Sequence, residues 1–225
     1  MKKPISEVYH GDCMDFMRDL PDGFAALAIC DPPYGIGRDG SNRTTSKHGG
    51  RKAHSFNGWD AKRPGSEFFN ELFRVSKNQI IWGANYFTEF LPPSMGWLFW
   101  DKGQRICNSD GELAFTSFEQ ALRVVEYNRI ELLLEGTIHP TQKPSVLYRY
   151  LLTNYAKPGQ KIFDPMMGSQ SSRIAAWDMG FDYWGCEKDD DYFRDGCARF
   201  EAHIKKPVLF APEQMYNFEQ AKLFD

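Results

Sequence analysis

The chain of 225 residues predicts an α/β fold with a mostly parallel central sheet flanked by helices, on three observations. Short apolar runs recur at 25–30, 79–82, 97–100, 161–163 and 183–186, and runs of that length read as strands covered on both faces. Between several of them apolar residues return at helical spacing. Phe68, Phe69, Leu72, Phe73 and Val75 form one such set. Val146, Leu147, Tyr150 and Leu151 form a second after Pro144, and Phe193, Cys197, Phe200 and Ile204 a third. The third observation is an acid directly after three of the strands, at Asp31, Asp164 and Glu187. Open α/β sheets bind ligands beyond the carboxyl ends of their strands, so those acids mark one candidate site.

Composition narrows the class. Hydrophobic residues make up 42% and charged residues 25%, a globular balance that excludes collagen, coiled coil and wholesale disorder. The longest uninterrupted apolar run, Phe24 to Cys30, is seven residues, whereas a membrane-spanning helix needs about 20. Lys2 and Lys3 are followed by no apolar stretch, so the N-terminus does not read as a signal peptide. The expectation is a soluble, cytoplasmic protein with no membrane partner, its 225 residues forming a single domain. The five cysteines are odd in number, widely spaced and without a C-x-x-C pair, so reduced thiols and no metal site are expected.

Charge is uneven although the net value is only −3. Residues 35–63 hold six glycines and seven Lys/Arg against Asp39 and Asp60. A stretch of that length without strand or helix pattern reads as a functional loop. Residues 178–201 carry eight acids against three basic residues. Such a division can bring a polyanion to one side of a molecule and keep it off the other, although two solvated surfaces would look the same.

Two segments carry the chemistry. In the unit 161–187 a strand, a small-residue turn, a helix and a second strand follow one another, and Glu187 comes 23 residues after Asp164. In dinucleotide folds an acid at about 20 residues holds the ribose hydroxyls. The turn lacks the G-x-G-x-x-G that lets a backbone approach a pyrophosphate, which favours a nucleoside cofactor without phosphates. On spacing alone a solvated acidic turn at Glu187 is an equal reading. The second segment is Asp31-Pro32-Pro33-Tyr34. Its prolines fix the backbone and remove two donors, leaving rigid carbonyl and carboxylate acceptors beside an aromatic ring. That set suits a planar amine such as the amino edge of a nucleobase, while a strand-ending turn is the plainer alternative.

Taken together these residues resemble the S-adenosylmethionine-dependent DNA amino-methyltransferases, the adenine-N6 and cytosine-N4 enzymes. The likeness is to the class in which D-P-P-Y precedes the cofactor motif in the chain, a circularly permuted order on the Rossmann-like class I methyltransferase fold. It covers nearly the whole chain. His10-Gly11-Asp12-Cys13-Met14 resembles the segment at the cofactor adenine, and Asp31–Tyr34 the catalytic motif. Residues 80–85 and 97–102 resemble later sheet strands. His139-Pro140-Thr141-Gln142-Lys143-Pro144 resembles a family signature before a cofactor-side helix, and 163–169 the methionine-binding loop.

The resemblance implies adenine-N6 methylation of a base flipped out of double-stranded DNA, with Asp31, Pro32, Pro33 and Tyr34 catalytic. Asp12, Cys13, Asp31, His139, Thr141, Lys143, Asp164, Pro165, Gly168, Ser169 and Glu187 are implied at S-adenosylmethionine. Asp31 and the Pro32 carbonyl would accept the amine N–H groups, and Tyr34 would stack on the base. Thr141 and Lys143 are open between the cofactor carboxylate and a DNA phosphate. Arg38, Arg43, Lys47, Arg51 and Lys52 are expected on DNA, from a loop set apart from the cofactor unit. Cytosine-N4 methylation is the alternative, disfavoured because those enzymes more often carry serine at the Asp31 position; a catalytically degenerate DNA-binding relative is another. The family implies a bacterial or phage-encoded protein, with a homodimer and a cognate restriction endonuclease open as partners. The sequence departs from the family at Gln170, where a second glycine is usual, which strains the backbone if that position has positive φ. The chain is also short for the family, and only 35–63 and 103–137 offer room for target recognition, the latter as a short insertion.

Overall fold

The computed structural model describes residues 3–37, 39, 58–103, 109–127 and 135–207. Eight strands form one sheet: β1 (Ser6–His10), β2 (Leu27–Cys30), β3 (Gln79–Trp82), β4 (Trp97–Asp101), β5 (Gly111–Thr116), β6 (Arg123–Glu126), β7 (Lys161–Asp164) and β8 (Asp182–Glu187). Their order is β1-β8-β7-β2-β3-β5-β4-β6. Every neighbouring pair is parallel except the two that β5 makes, with β3 and with β4. Strand order reverses between β7 and β2. From β7 the chain continues outward to β8, and from β2 it continues the other way to β3.

The central strands are buried along their whole length, and their side chains divide between two cores. Leu27 and Ile29 of β2 join a cluster with Ile80, Trp82, Leu147, Leu151 and Ala175. Ala28 and Cys30, pointing the other way, join Ile81, Phe69, Leu72 and Phe163. Helices α1 (Cys13–Arg18) and α2 (Ser66–Val75) cover the second face, and α3 (Ser145–Tyr155) and α4 (Ser171–Asp178) the first. The last helix among the described residues is α5 (Asp190–Ile204). Trp82 and Trp100 are core residues, 0% and 3% exposed, as their strand positions require. Arg74 of α2 ties α1 in place, donating to the carbonyls of Met17 and Leu20 at 2.8 Å each.

One expectation changes, and the condition set for Gln170 is met. Within 103–137, residues 111–116 and 123–126 are strands of the main sheet rather than a separate insertion. A half-exposed antiparallel strand such as Gly111–Thr116 shows no long apolar run, which hides it in the sequence. Gln170 does adopt the left-handed region, with φ of 60°, immediately before α4. It is wholly buried. Its Oε1 accepts from Arg173 at 2.9 Å, and its amide lies 3.4 Å from the Phe193 carbonyl. Facing it on α5 is Gly196, where an added Cβ would come within 2.7 Å of the glutamine amide. Gly196→Ala should therefore destabilise the fold by about 1–3 kcal/mol. In a Gln170→Gly background the same change should cost much less, as a denaturation double-mutant cycle measures; equal costs in both backgrounds would contradict the packing argument.

Candidate active site

The carboxyl ends of β1, β2, β7 and β8 open on one cavity of about 970 Å³. Gly11–Met14, Asp31, Pro33, His139, Thr141, Lys143, Pro165–Ser169 and Glu187–Asp189 lie on its wall. Asp12 closes α1, accepting the Met14 N–H at 2.8 Å, and Asp189 does the same for α5, accepting from Asp191 and Tyr192 at 3.0 Å. Cys13 borders the cavity as a thiol, its pKa pushed up to about 12 by burial and then by Asp12.

The turn after β7 is held from within. The Met166 N–H donates to Asp164 at 3.1 Å, Met167 N–H to the Cys186 carbonyl at 2.9 Å, Gly168 N–H to Glu187 at 2.9 Å and Gln170 N–H to the Met167 carbonyl at 2.8 Å. Amides spent in this way form no cradle for a phosphate. Asp12, Asp31 and Glu187 bring carboxylates to the strand-end wall, which suits hydroxyls and a cationic group. Glu187 also accepts the Asp189 N–H at 2.9 Å, and burial holds its carboxyl above the usual range. S-adenosylmethionine, a nucleoside sulfonium without phosphates, fits these donors and acceptors.

Asp164, expected at the cofactor, lies beneath the turn and off the cavity wall, 2% exposed. Its oxygens are engaged by the Ser172 hydroxyl and the Met166 N–H because the strand ends one layer below the turn.

The signature 139–144 folds around its own glutamine. Gln142 accepts from the Ile138 N–H at 3.0 Å and donates to the Gly136 carbonyl at 2.9 Å. Glu135 caps α3 from ten residues earlier, accepting the Ser145 N–H at 2.9 Å and its hydroxyl at 2.6 Å. His139 lies between Tyr192 and Trp59, with ring centroids 4.2 and 5.1 Å away. Trp59 belongs to the end of the basic loop. Residues 58–63 reach the cavity wall through Gly58, Trp59, Ala61, Lys62 and Arg63, so this end of the loop shares the cavity with residues of the 161–187 unit. Arg38, Arg43, Lys47, Arg51 and Lys52 lie outside the described residues.

At β2 the Asp31 side chain is 18% exposed. The Tyr34 hydroxyl donates to its Oδ1 at 2.6 Å, and the Lys143 ammonium pairs with its Oδ2. Lys143 thus turns inward to Asp31 and Glu112, although it also borders the cavity. Burial raises the Asp31 carboxyl above its ordinary range; Lys143 draws it down and Glu112 pushes it up again. The Tyr34 ring lies against Gly83 and stacks on Tyr86, centroids 5.0 Å apart and planes 13° from parallel. Glu112 and Glu135 were not singled out in the sequence, where each is one acid among many.

Comparison with known proteins agrees with this geometry. A DNA methylase family model, that of the N6/N4 methyltransferases, matches residues 81–197. A protein of Escherichia coli (strain K12) named as a methylase, YubD, is 26% identical over 227 aligned residues, spanning 88% of this chain and 91% of that one. Among solved structures, the M1.HpyAVI–SAM complex is similar with a TM-score of 0.56 at 17% identity, covering 86% of this chain and 98% of the other. The cytosine-N4-specific PvuII DNA methyltransferase is similar with a TM-score of 0.58 at 13% identity, covering 98% and 96%. Among the described residues no helix is long and apolar enough to cross a membrane, and no cluster of three metal-ligating side chains occurs.

Burial raises the Asp164 carboxyl from 3.8 to about 7, against the hydrogen bonds from Ser172 and Met166. The native state then holds a proton that the unfolded chain has released, so stability falls as pH rises from about 4 to 7 and is level above that. Asp164→Asn should flatten this decline by a few kcal/mol, on the order of the shift itself. Denaturant titrations across that range that show the same decline in both proteins would contradict it.

Proposed function

Because the chain belongs to the DNA methylase family of N6 and N4 amino-methyltransferases, which depend on S-adenosylmethionine, we propose that it methylates the exocyclic N6 of adenine in double-stranded DNA. The observation that carries this reading is the Asp31 carboxylate on the cavity wall, beside prolines that offer no N–H. An amine conjugated to a purine ring is a poor nucleophile. Asp31 and the Pro32 carbonyl, accepting its two N–H bonds, would hold the nitrogen pyramidal and direct its lone pair into the cavity; positioning of this kind supplies several kcal/mol. When bound, the cofactor would supply an electrophilic methyl to that nitrogen.

Asp12 and Glu187 would accept hydrogen bonds from the adenosine part of the cofactor, with Cys13, Pro165, Gly168 and Ser169 shaping its walls. His139, whose ring lies beside Gly168 of the turn, and Thr141 would border the same space. The target base must leave the duplex at a cost of a few kcal/mol, and the Tyr34–Tyr86 stack offers it an aromatic face worth about 1–3 kcal/mol. The basic residues of 38–52 would neutralise phosphates around the extruded base. Cytosine-N4 transfer is the second reading, since one structural neighbour is specific for it. The carboxylate at position 31, where serine is more usual in those enzymes, favours adenine.

Unmethylated phage-length duplex DNA incubated with the protein and S-adenosylmethionine, then digested to nucleosides for mass spectrometry, tests this directly. N6-methyladenine without N4-methylcytosine is expected. N4-methylcytosine alone would reassign the base, and neither product would remove the proposed activity.

A further inference from the structure

Glu112 is a charged residue in a strand of the sheet interior, opposite Trp100 of β4 and one strand from β3, with no task in the reaction as described. Charge in such a place is costly unless it is paired. Its Oε1 accepts from Lys102, and its Oε2 lies 3.2 Å from the Lys143 ammonium. Four charges therefore alternate from the rim of the sheet to the site: Lys102, Glu112, Lys143 and Asp31. Lys143 is at their centre, 2% exposed, its ammonium 5.3 Å from the centroid of the Trp82 ring. The contact to Glu112 Oε2 is an ion pair without a hydrogen bond's direction, and that buried oxygen has no hydrogen-bond partner among the described residues. The ammonium leans to Asp31, with the second carboxylate 3.2 Å from it on the other side.

We propose that Glu112 is a positioning residue for methyl transfer: it keeps the Lys143 ammonium in the site and is the berth to which that ammonium withdraws when the substrate amine reaches Asp31. Both Asp31 oxygens are already engaged, Oδ1 by the Tyr34 hydroxyl and Oδ2 by Lys143. A carboxylate has further lone pairs, but little of this one is open to a newcomer. A lysine held by Asp31 alone would have to give up its only counter-charge to make room. With Glu112 on its other side it exchanges one carboxylate for another and stays paired throughout. The proposal rests on the methyltransferase reading and assigns a role within it.

The charge pattern gives a test with two signs. Lys143 faces Asp31 and Glu112, with the Trp82 ring beside it; Lys102 acts through Glu112, and Tyr34, Tyr148, Asp164 and Cys30 surround Asp31. Removing the negative charge in Glu112→Gln lowers the pH at which Lys143 loses its proton. Removing the positive charge in Lys102→Met raises it. The alkaline limb of the kcat–pH profile should therefore move down by about one unit in the first variant and up in the second. In Glu112→Gln, kcat should also fall about tenfold while KM for DNA stays within a few-fold. Glu112→Asp, which keeps the charge, should restore the limb. The nitrogen-15 shift of the Lys143 ammonium, followed against pH in the ligand-free protein, should move in the same two directions. That signal needs no turnover, so a wild-type protein inactive on DNA would defeat the functional reading and leave this measurement standing. An alkaline limb and a Lys143 midpoint that stay in place in both variants would overturn the proposal, and loss of stability alone would make Glu112 merely structural.

Discussion

The parallel pairing of β2 with β7, Leu27 against Ile162 and Ala28 against Phe163, is the constraint on which the rest of the site depends. It lies where the strand order reverses, so the connections from the two strands run apart and leave a crevice at their carboxyl ends. One wall descends from β7, β8 and β1, and the other from β2 and the start of α2. The chain builds the first wall from its two extremes, β1 pairing with β8 in register from Ser6–Tyr183 to His10–Glu187. Asp12 and Glu187 become neighbours by that pairing despite 174 intervening positions in the sequence. This is the circularly permuted class I methyltransferase arrangement.

Carboxylates brought together at strand ends repel one another and lose hydration, and each is stabilised by different means. Asp164 is hydrogen-bonded beneath the turn, Glu187 is tied to two backbone amides, and Asp31 is matched to an ammonium. The third solution differs because a lysine can move. A hydrogen-bonded Asp164 fixes the turn, whereas the ion-paired Asp31 is the carboxylate that the proposed transfer would draw on. The same division of labour accounts for Gln170, whose left-handed backbone is held by Arg173 on one side and accommodated by the missing side chain of Gly196 on the other.

The central strands were legible because burial on both faces leaves runs such as Leu27–Cys30 and Gln79–Trp82 with little polar character. The edges were not. Ser6–His10 alternates exposed and half-buried residues, and Arg123–Glu126 buries only Val125, so neither stands out from a loop. Gly111–Thr116 was hidden because a glutamate stands second in it, and that glutamate is paired with Lys102, ten residues away, and Lys143, thirty-one away. Local pattern likewise led to Asp31 and Glu187, each at a strand end, but not to the direction of Lys143. Its partners come from β2 and β5, and no spacing in the sequence records their meeting. The aromatic bracket on His139 from Trp59 and Tyr192 is of the same kind, and it brings the end of the basic loop to the cofactor cavity.

In the proposed reaction transfer takes place at Asp31 while the residues after β1, β7 and β8 would bind the cofactor, and a single substitution separates the two. Asp31→Ala, measured for S-adenosylmethionine affinity by calorimetry and for methyl incorporation into duplex DNA, should bind the cofactor within a few-fold of wild type and transfer no methyl group. A folded variant that lost cofactor binding, or one that still methylated DNA at the wild-type rate, would contradict it.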